Sequence, residues 1–252
     1  LRAAGIPVDV LASEPAAAII AGFRSRVVAG RPLVRLKSAS SLDGAIALAS
    51  GESQWITGPQ ARADVQRLRA YSDALVTGIG TVLADDPSLT VRAPSLLNQG
   101  AEQPLRVVLD SQLRTPIGSK VVNDGWPTWV VHQANPAIVQ AHKQAQRDRG
   151  VDVELTALPG GTANLSELLS QLALRDCNEV LVEAGPKVLS SFLQQGLWDE
   201  WICYLAPRLL GDNIMHLTSF SLPSLAQALS AQIVDQQMIG ADLRLTLKPI
   251  SS

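Results

Sequence analysis

Short apolar runs alternate with amphipathic segments along most of this 252-residue chain. Apolar runs bounded by glycine or polar residues are typical of buried β-strands, and helices between them indicate parallel strand–helix–strand units. The last two runs, 231–239 and 241–249, alternate around Gly240 and predict an antiparallel hairpin. We therefore predict an α/β domain: a mixed, mostly parallel sheet with helices on both faces and an antiparallel C-terminal hairpin. The buried strands are DALVTGIG at 73–80, LRVVLDS at 105–111, TWVVHQ at 128–133 and NEVLVEAG at 178–185.

The start of the chain differs from this pattern. Its sequence predicts a helix that ends near Ala4, a short strand over 8–11 and one helix over 15–29. We therefore expect residues 1–30 to be the end of a preceding unit with a linker helix, and residues 31–252 to form the main domain.

Charge and composition exclude several classes of protein. The formal net charge of −2 provides no basic field for nucleic acid. The two cysteines and three histidines have no metal-ligand spacing, so we predict no metal site. Arg24 and Arg26 follow the apolar core of 14–30, which is the wrong order for a signal peptide, and no run approaches the length of a membrane span. We expect a cytoplasmic protein.

Three strand ends carry candidate functional residues: SLDG at 41–44, GIGT at 78–81 and EAGP at 183–186. Ligands of α/β sheets bind beyond the carboxyl ends of the strands. Lys37 lies where the first strand runs toward this edge. The Gly-Pro pair of EAGP begins a helix whose free amides suit an anion such as a diphosphate, although a simple strand–helix turn favours the same residues.

The stretch GIGTVLADDPSLTVR, at 78–92, begins like a dinucleotide-binding loop, but Leu83 stands in place of the third glycine. Its Asp85–Asp86 pair fits either turn carboxylates in solvent or metal ligands, and no acidic or histidine partner lies nearby in sequence. Arg69 and Arg92 are candidates for gripping a phosphate, since arginine binds phosphate through parallel hydrogen bonds; each is also compatible with a surface arginine.

Trp55 lies just before a predicted helix start. Thr57 and Gln60 have the spacing of a capping box, and Pro59 is tolerated in the first helical turn. An aromatic residue here either packs against the helix or flanks a flat ring of a ligand.

Two long stretches together resemble one known family. KSASSLDGAIALASGESQWITGPQARADVQRLRAYSDALVTGIGTVLADDPSLTVR and LVEAGPKVLSSFLQQGLWDEWICYLAPRLLG are similar to the reductase domain of the bifunctional riboflavin-biosynthesis deaminase/reductase. The likeness covers residues 31–248. It implies a dihydrofolate-reductase-like fold, NADPH as cofactor, and a homodimer. The implied reaction reduces the ribosyl group of 5-amino-6-(5-phosphoribosylamino)uracil to a ribityl chain.

The resemblance also implies roles for individual residues. The titratable candidates for the catalytic proton transfer are Lys37, Asp85 and Glu183. The implied substrate-binding residues are Ser53, Arg69, Leu89, Arg92 and Glu183. The implied cofactor-binding residues are Ala39, Trp55, Thr81, Asp85, Ser111, and a diphosphate cradle of Gly185, Pro186, Lys187, Val188, Leu189, Ser190 and Ser191. Ala45 departs from the family pattern, which often has a basic residue after SLDG.

Residues 1–10 resemble the last helix and strand of the family's zinc deaminase domain, whose H-x-E and P-C-x-x-C signature is absent here. This implies a fusion to that domain in the parent protein, and no deaminase activity in this chain. Two alternatives stay open. One is a related reductase that acts on the non-deaminated diaminopyrimidinone ribosyl phosphate or on a pteridine. The other is a non-catalytic nucleotide-binding domain.

Overall fold

A computed structural model describes residues 1–9 and 13–250. Within them, a nine-stranded sheet has the order β10-β11-β8-β1-β7-β3-β4-β5-β6, and β2 pairs with β9 in a separate two-stranded sheet. The strands are β1 Leu33–Ser41, β2 Ala45–Leu48, β3 Ala74–Gly78, β4 Leu105–Leu109, β5 Thr128–His132, β6 Glu154–Ala157, β7 Glu179–Glu183, β8 Glu200–Ala206, β9 Ile214–His216, β10 Ala231–Ile239 and β11 Asp242–Pro249.

The pairing confirms the predicted mixed sheet. The strands from β8 through β6 run parallel to one another. β11 pairs antiparallel with β8 and with β10, so the last two strands form the predicted hairpin around Gly240. The β2–β9 pair was not predicted, because β9 is only Ile214–His216 and has no strand pattern of its own.

Helices cover both faces of the sheet, as predicted. One core joins α8 and α9 to side chains such as Leu36, Val76 and Trp129, and the other joins α4, α6 and α7 to Leu75 and Val108. Successive strand residues point to opposite faces, which is why Leu75 and Val76 serve different cores. The helices are α1 Glu14–Ile19, α2 Ala21–Ala29, α3 Pro59–Ala70, α4 Ile79–Asp85, α5 Pro94–Leu97, α6 Lys120–Asn123, α7 Pro136–Arg149, α8 Leu165–Leu174 and α9 Pro186–Gln194.

The first residues correct two predictions. Ala4 does end a short 3-10 helix, but Val8 and Asp9 are not in a strand, and the remainder of the predicted strand lies outside the described residues. The single helix over 15–29 is two helices that meet at Ile20. Tertiary contacts fix α2: Arg26 donates to Asn178, which lies just before β7, over 2.8 Å.

The start of α3 also differs from its prediction. Its N-cap is Gly58 and no side chain caps it, so the predicted pair of Thr57 and Gln60 does not form a capping box. Instead, Asp242 at the start of β11 accepts a hydrogen bond from the backbone N–H of Gly58 over 2.7 Å. The helix therefore begins at Pro59, one residue later than a cap at Thr57 would place it, and a carboxylate from the far end of the chain holds the residue before it.

Candidate active site

A cavity of about 500 Å³ opens beyond the carboxyl ends of β1, β3 and β7. The ends of these neighbouring strands bring residues from distant parts of the chain to one edge of the sheet. Most of the sequence-predicted site residues line it: Lys37, Ala39, Ser53, Trp55, Arg69, Thr81, Asp85, Leu89, Arg92, Glu183, Gly185, Pro186 and Leu189.

Lys37 and Glu183 are partners in the register of β1 and β7, which places them side by side at the cavity floor. Burial alone would raise the pKa of Glu183, but the charge and hydrogen bonds of Arg69, followed by the charge of Lys37, lower it. Burial lowers the pKa of Lys37; the charge of Glu183 opposes this shift and that of Arg69 adds to it. Glu183 is therefore an ionised carboxylate, and Lys37 releases its proton more readily than an ordinary lysine.

Arg69 is already engaged within the protein. Its Nε donates to Glu183 Oε1 over 2.6 Å and its Nη2 to Oε2 over 2.9 Å, which is the bidentate geometry of a strong ion pair. Its Nη1 donates to the carbonyl oxygen of Thr90 over 3.0 Å. Arg69 thus joins α3, β7 and the segment 88–92.

The segment after α4 forms another wall of the cavity. Leu89 is buried and has a φ of +51°, a backbone conformation that non-glycine residues seldom adopt and that is often found at functional sites. The backbone N–H of Arg92 donates to Gln66 Oε1 of α3 over 2.6 Å. Among the described residues the exposed Arg92 side chain makes no ion pair.

Asp85 ends α4 beside Ser53. Burial raises its pKa, and a hydrogen bond from Ser53 partly offsets the shift, so this carboxyl keeps its proton to a higher pH than usual. Asp86 follows in the left-handed conformation as the helix C-cap. Its Oδ1 accepts from the backbone N–H of Lys120 over 2.8 Å. The interpretation of Asp86 as a turn carboxylate is therefore confirmed, and Lys120 is its partner.

The start of α9 fits the diphosphate of a nicotinamide cofactor. Gly185 is the N-cap, no side chain caps the helix, and the N–H of Gly185 donates to Thr81 Oγ1 over 3.1 Å. Free amides at a helix start and the positive end of its dipole favour an anion. The helix lies close to β3, since a Cβ on Gly78 would meet Val188 Cγ2 at 2.8 Å.

Five of the predicted cofactor residues do not line the cavity: Ser111, Lys187, Val188, Ser190 and Ser191. The Oγ of Ser190 accepts from the backbone N–H of Ser219 over 2.8 Å, and the Oγ of Ser191 donates to the carbonyl oxygen of Lys187 over 2.9 Å. Ser111 lies after β4, where its carbonyl oxygen accepts from the N–H of Gln133. Their predicted contacts with a cofactor stay predictions.

Some cavity residues were not predicted as binding residues, among them Arg62, Lys120 and Leu217. The Arg62 guanidinium lies 4.4 Å from the centre of the Trp55 ring, and its Nη1 donates to the carbonyl oxygen of Thr57 over 2.7 Å. Arg62 lies two helical turns before Arg69, so the sequence alone places both arginines on the same side of α3. Lys120 and Leu217 had no such signal, because only the folded chain brings them to this edge.

Neither a metal-binding cluster nor a membrane-spanning helix is found among the described residues. No group of three or more His, Cys, Asp or Glu side chains there is arranged to hold a metal ion. None of the helices in the described part of the chain is long and apolar enough to cross a membrane.

Comparison with solved structures places this fold among riboflavin-biosynthesis reductases. RibD of Acinetobacter baumannii is 36% identical with a TM-score of 0.85, and the match covers 99% of this chain and 67% of that one. The riboflavin biosynthesis reductase Rib7 of Saccharomyces cerevisiae is 20% identical with a TM-score of 0.66, covering 94% of this chain and 100% of that one, which supports the dihydrofolate-reductase-like fold alone.

Sequence comparison gives the same assignment. The riboflavin biosynthesis protein RibD of Escherichia coli is 39% identical over 260 residues, which span 98% of this chain and 68% of that protein. The RibD of Haemophilus influenzae is 40% identical over an alignment 267 positions long, which covers 99% of this chain and 67% of that protein. The family model of the RibD C-terminal domain matches residues 32–245. The chain therefore belongs to the RibD C-terminal domain family, the reductase domain that its sequence motifs resemble.

Proposed function

We propose that this chain reduces the ribosyl group of 5-amino-6-(5-phosphoribosylamino)uracil to give 5-amino-6-(5-phosphoribitylamino)uracil, with NADPH as reductant. The observation that carries the proposal is the cavity in which Lys37, Asp85 and Glu183 lie together beside the free start of α9. A solved Thermotoga maritima protein, 27% identical with a TM-score of 0.77, carries the name of a deaminase and 5-amino-6-(5-phosphoribosylamino)uracil reductase. The match covers 94% of this chain and 62% of that chain.

The proposed cofactor site lies between α4 and α9. The start of α9, where Gly185, Pro186 and Leu189 line the cavity, would hold the diphosphate side, and Ala39, Trp55, Thr81 and Asp85 the ribose and nicotinamide side. When bound, NADPH supplies the hydride that reduces C1′ of the ring-opened imine. Positioning the two reactants against each other accounts for much of the expected rate enhancement.

The reduction also requires a proton, which must reach the imine nitrogen or the ring oxygen. Lys37 is a proposed donor because its lowered pKa eases release of the proton. Asp85 is the other, because its raised pKa keeps the carboxyl protonated to a higher pH. Glu183 is ionised and bound by Arg69, so its proposed roles are to hold Lys37 in place and to accept a hydrogen bond from the substrate.

The test is a spectroscopic assay of NADPH oxidation by the purified chain. We expect absorbance at the reduced-nicotinamide band to fall with 5-amino-6-(5-phosphoribosylamino)uracil, and more slowly with NADH. Faster NADPH oxidation with the non-deaminated pyrimidinone or with a pteridine would identify that compound, and not the proposed aminouracil, as the substrate. NADPH binding without oxidation by any of them would favour a non-catalytic nucleotide-binding domain. A Lys37→Met variant that kept full turnover would remove Lys37 as a proton donor.

Three wider features belong to the same proposal. A homodimer, a cytoplasmic location and a zinc deaminase domain fused before residue 31 are each expected from the family. Sedimentation of the purified chain tests the dimer, and a monomer at assay concentration would contradict it.

A further inference from the structure

One face of α3 lines a second pocket of about 520 Å³, which shares Lys37 and Glu183 with the cavity described above. Arg62, Gln66 and Arg69 lie one and two helical turns apart, so they share this face. All three line the same pocket as Arg92. Gln66 accepts the backbone N–H of Arg92, so the chain at Arg92 is attached to α3 one turn from Arg62.

The arginines of this pocket are not equivalent. Arg69 gives its Nε and Nη2 to Glu183 and its Nη1 to Thr90, so three of its five N–H donors are engaged within the protein. Arg62 makes one hydrogen bond, to the carbonyl oxygen of Thr57, and within the described residues it has no carboxylate partner. Arg62 therefore keeps N–H donors for a ligand, and so does Arg92.

The charge of the pocket favours a dianion. Its charged lining consists of Lys37, Arg62, Arg69 and Arg92 against the single carboxylate of Glu183, in a chain whose formal net charge is −2. The guanidinium carbon of Arg62 lies over the Trp55 ring, 4.4 Å from its centre, a cation–π contact that restricts the movement of the guanidinium. A guanidinium held in one plane loses less conformational freedom when it binds a phosphate through parallel hydrogen bonds.

We infer that Arg62 determines specificity for the phosphorylated substrate. With Arg92 it binds the phosphate monoester of the sugar, while Arg69 is a positioning residue that holds Glu183. This inference rests on the proposed function for the identity of the substrate. The inference also explains the contact between Arg62 and Trp55, because the indole orients the guanidinium that binds the phosphate at the cavity wall.

The test compares Arg62→Gln and Arg62→Lys with Arg67→Gln. Arg67 is a matched control, because it lies on the same helix with 69% of its side chain exposed and does not line the cavity. We expect Arg62→Gln to raise the Michaelis constant for the phosphorylated substrate by roughly tenfold to a hundredfold. The inhibition constant of the dephosphorylated substrate should change by less than about threefold, within the scatter of weak contacts. The Michaelis constant of Arg62→Lys should lie between those of wild type and Arg62→Gln, since lysine keeps the positive charge but lacks the parallel N–H donors of a guanidinium.

Equal weakening of the phosphorylated and dephosphorylated ligands by Arg62→Gln would overturn the inference, because it would place the role in folding or in Trp55 alone. No weakening of either would overturn it too. If the chain oxidises no NADPH with the aminouracil, the proposed function fails, and calorimetry with ribose 5-phosphate then tests Arg62 separately. We expect wild type and Arg67→Gln to bind this probe and Arg62→Gln to bind it at least about tenfold more weakly. Failure of wild type to bind it, or equal affinities, would refute the assignment.

Discussion

The ion pair of Arg69 and Glu183 dominates the chemistry of single residues in this protein. Both side chains are about nine-tenths buried, with 11% of Arg69 and 9% of Glu183 exposed, and they join α3 to β7. Removing one partner of a buried pair leaves an uncompensated charge, which costs about 3–5 kcal/mol, whereas replacing both with apolar groups is often neutral. We therefore expect Arg69→Met to lower the free energy of unfolding by about that amount and Arg69→Met/Glu183→Met to recover most of it, as measured by urea denaturation. A double variant no more stable than Arg69→Met would contradict this account.

The same pair predicts how stability changes with acid. The folded-state pKa of Glu183 lies below its ordinary value of 4.5, so its contribution is complete above pH 4.5 and is lost as the pH falls through the folded-state value. Denaturation curves recorded at falling pH should show a steeper loss of stability in wild type than in the double variant, which lacks this carboxyl.

Part of this site could be predicted from the sequence. The strand ends indicated that Lys37 and Glu183 would reach one edge of the sheet, and the structure places them in register. The partner of Arg69 was not predictable, because Glu183 lies on another element far along the chain and no local pattern links them. The sequence places Arg62 on the same side of a helix as Arg69, but its contacts with Trp55 and Thr57 appear only in the fold.

Among the elements, the contact of β3 with α9 explains the first glycine of GIGT. Gly78 has an ordinary negative φ of −107°, so its lack of a side chain serves packing and not backbone freedom. Val188 of α9 occupies the space that a Cβ would need. The sequence presented this glycine as part of an incomplete dinucleotide loop, whereas the structure shows it letting the start of α9 approach the sheet.

Gly78→Ala should therefore disturb α9. We expect overpacking to lower stability by about 1–3 kcal/mol and to weaken NADPH binding, measured by denaturation and by fluorescence titration. Gly80→Ala is the control: a Cβ there meets nothing within 4 Å, and alanine in α4 should be neutral or stabilising by up to about 1 kcal/mol. Adding Val188→Ala should rescue Gly78→Ala, and a failure to rescue would show that the clash is not the cause.

Strand and helix patterns predicted the type of most elements well, because buried parallel strands leave short apolar runs between helices. Strand order was not predicted, since β7 inserts between β1 and β3 through contacts that no local sequence encodes. The break at Ile20 and the N-cap of α3 at Gly58 were missed for the same reason: Asn178 and Asp242, which hold the adjoining segments, lie far away in sequence.

Across the molecule, α3 is held by strands along its length. Asp242 of β11 binds the N–H before its first turn, and Glu183 of β7 binds Arg69 in its last turn. Between them, Asp64 accepts from Tyr204 Oη of β8 over 2.7 Å and from Arg244 Nη1 of β11 over 2.9 Å. The C-terminal hairpin is thus part of the support for the cavity wall, although it lies at the edge of the sheet.

This arrangement predicts that a substitution in the C-terminal hairpin also destabilises the wall of the cavity. Asp242→Ala removes the acceptor for the Gly58 N–H, and we expect a loss of about 1–2 kcal/mol in the free energy of unfolding, comparable to the loss of a helix cap. Hydrogen exchange should accelerate at residues 58–64 as well as in β11, and the phosphorylated substrate should bind more weakly because Arg62 lies in that turn. Asp235→Ala is the control, because Asp235 is half-exposed and, apart from a 3.4 Å contact with Arg244, accepts a hydrogen bond only from Gln237 of its own strand among the described residues. If exchange rose in β11 alone, the hairpin and α3 would open independently, and the wall would not depend on the hairpin.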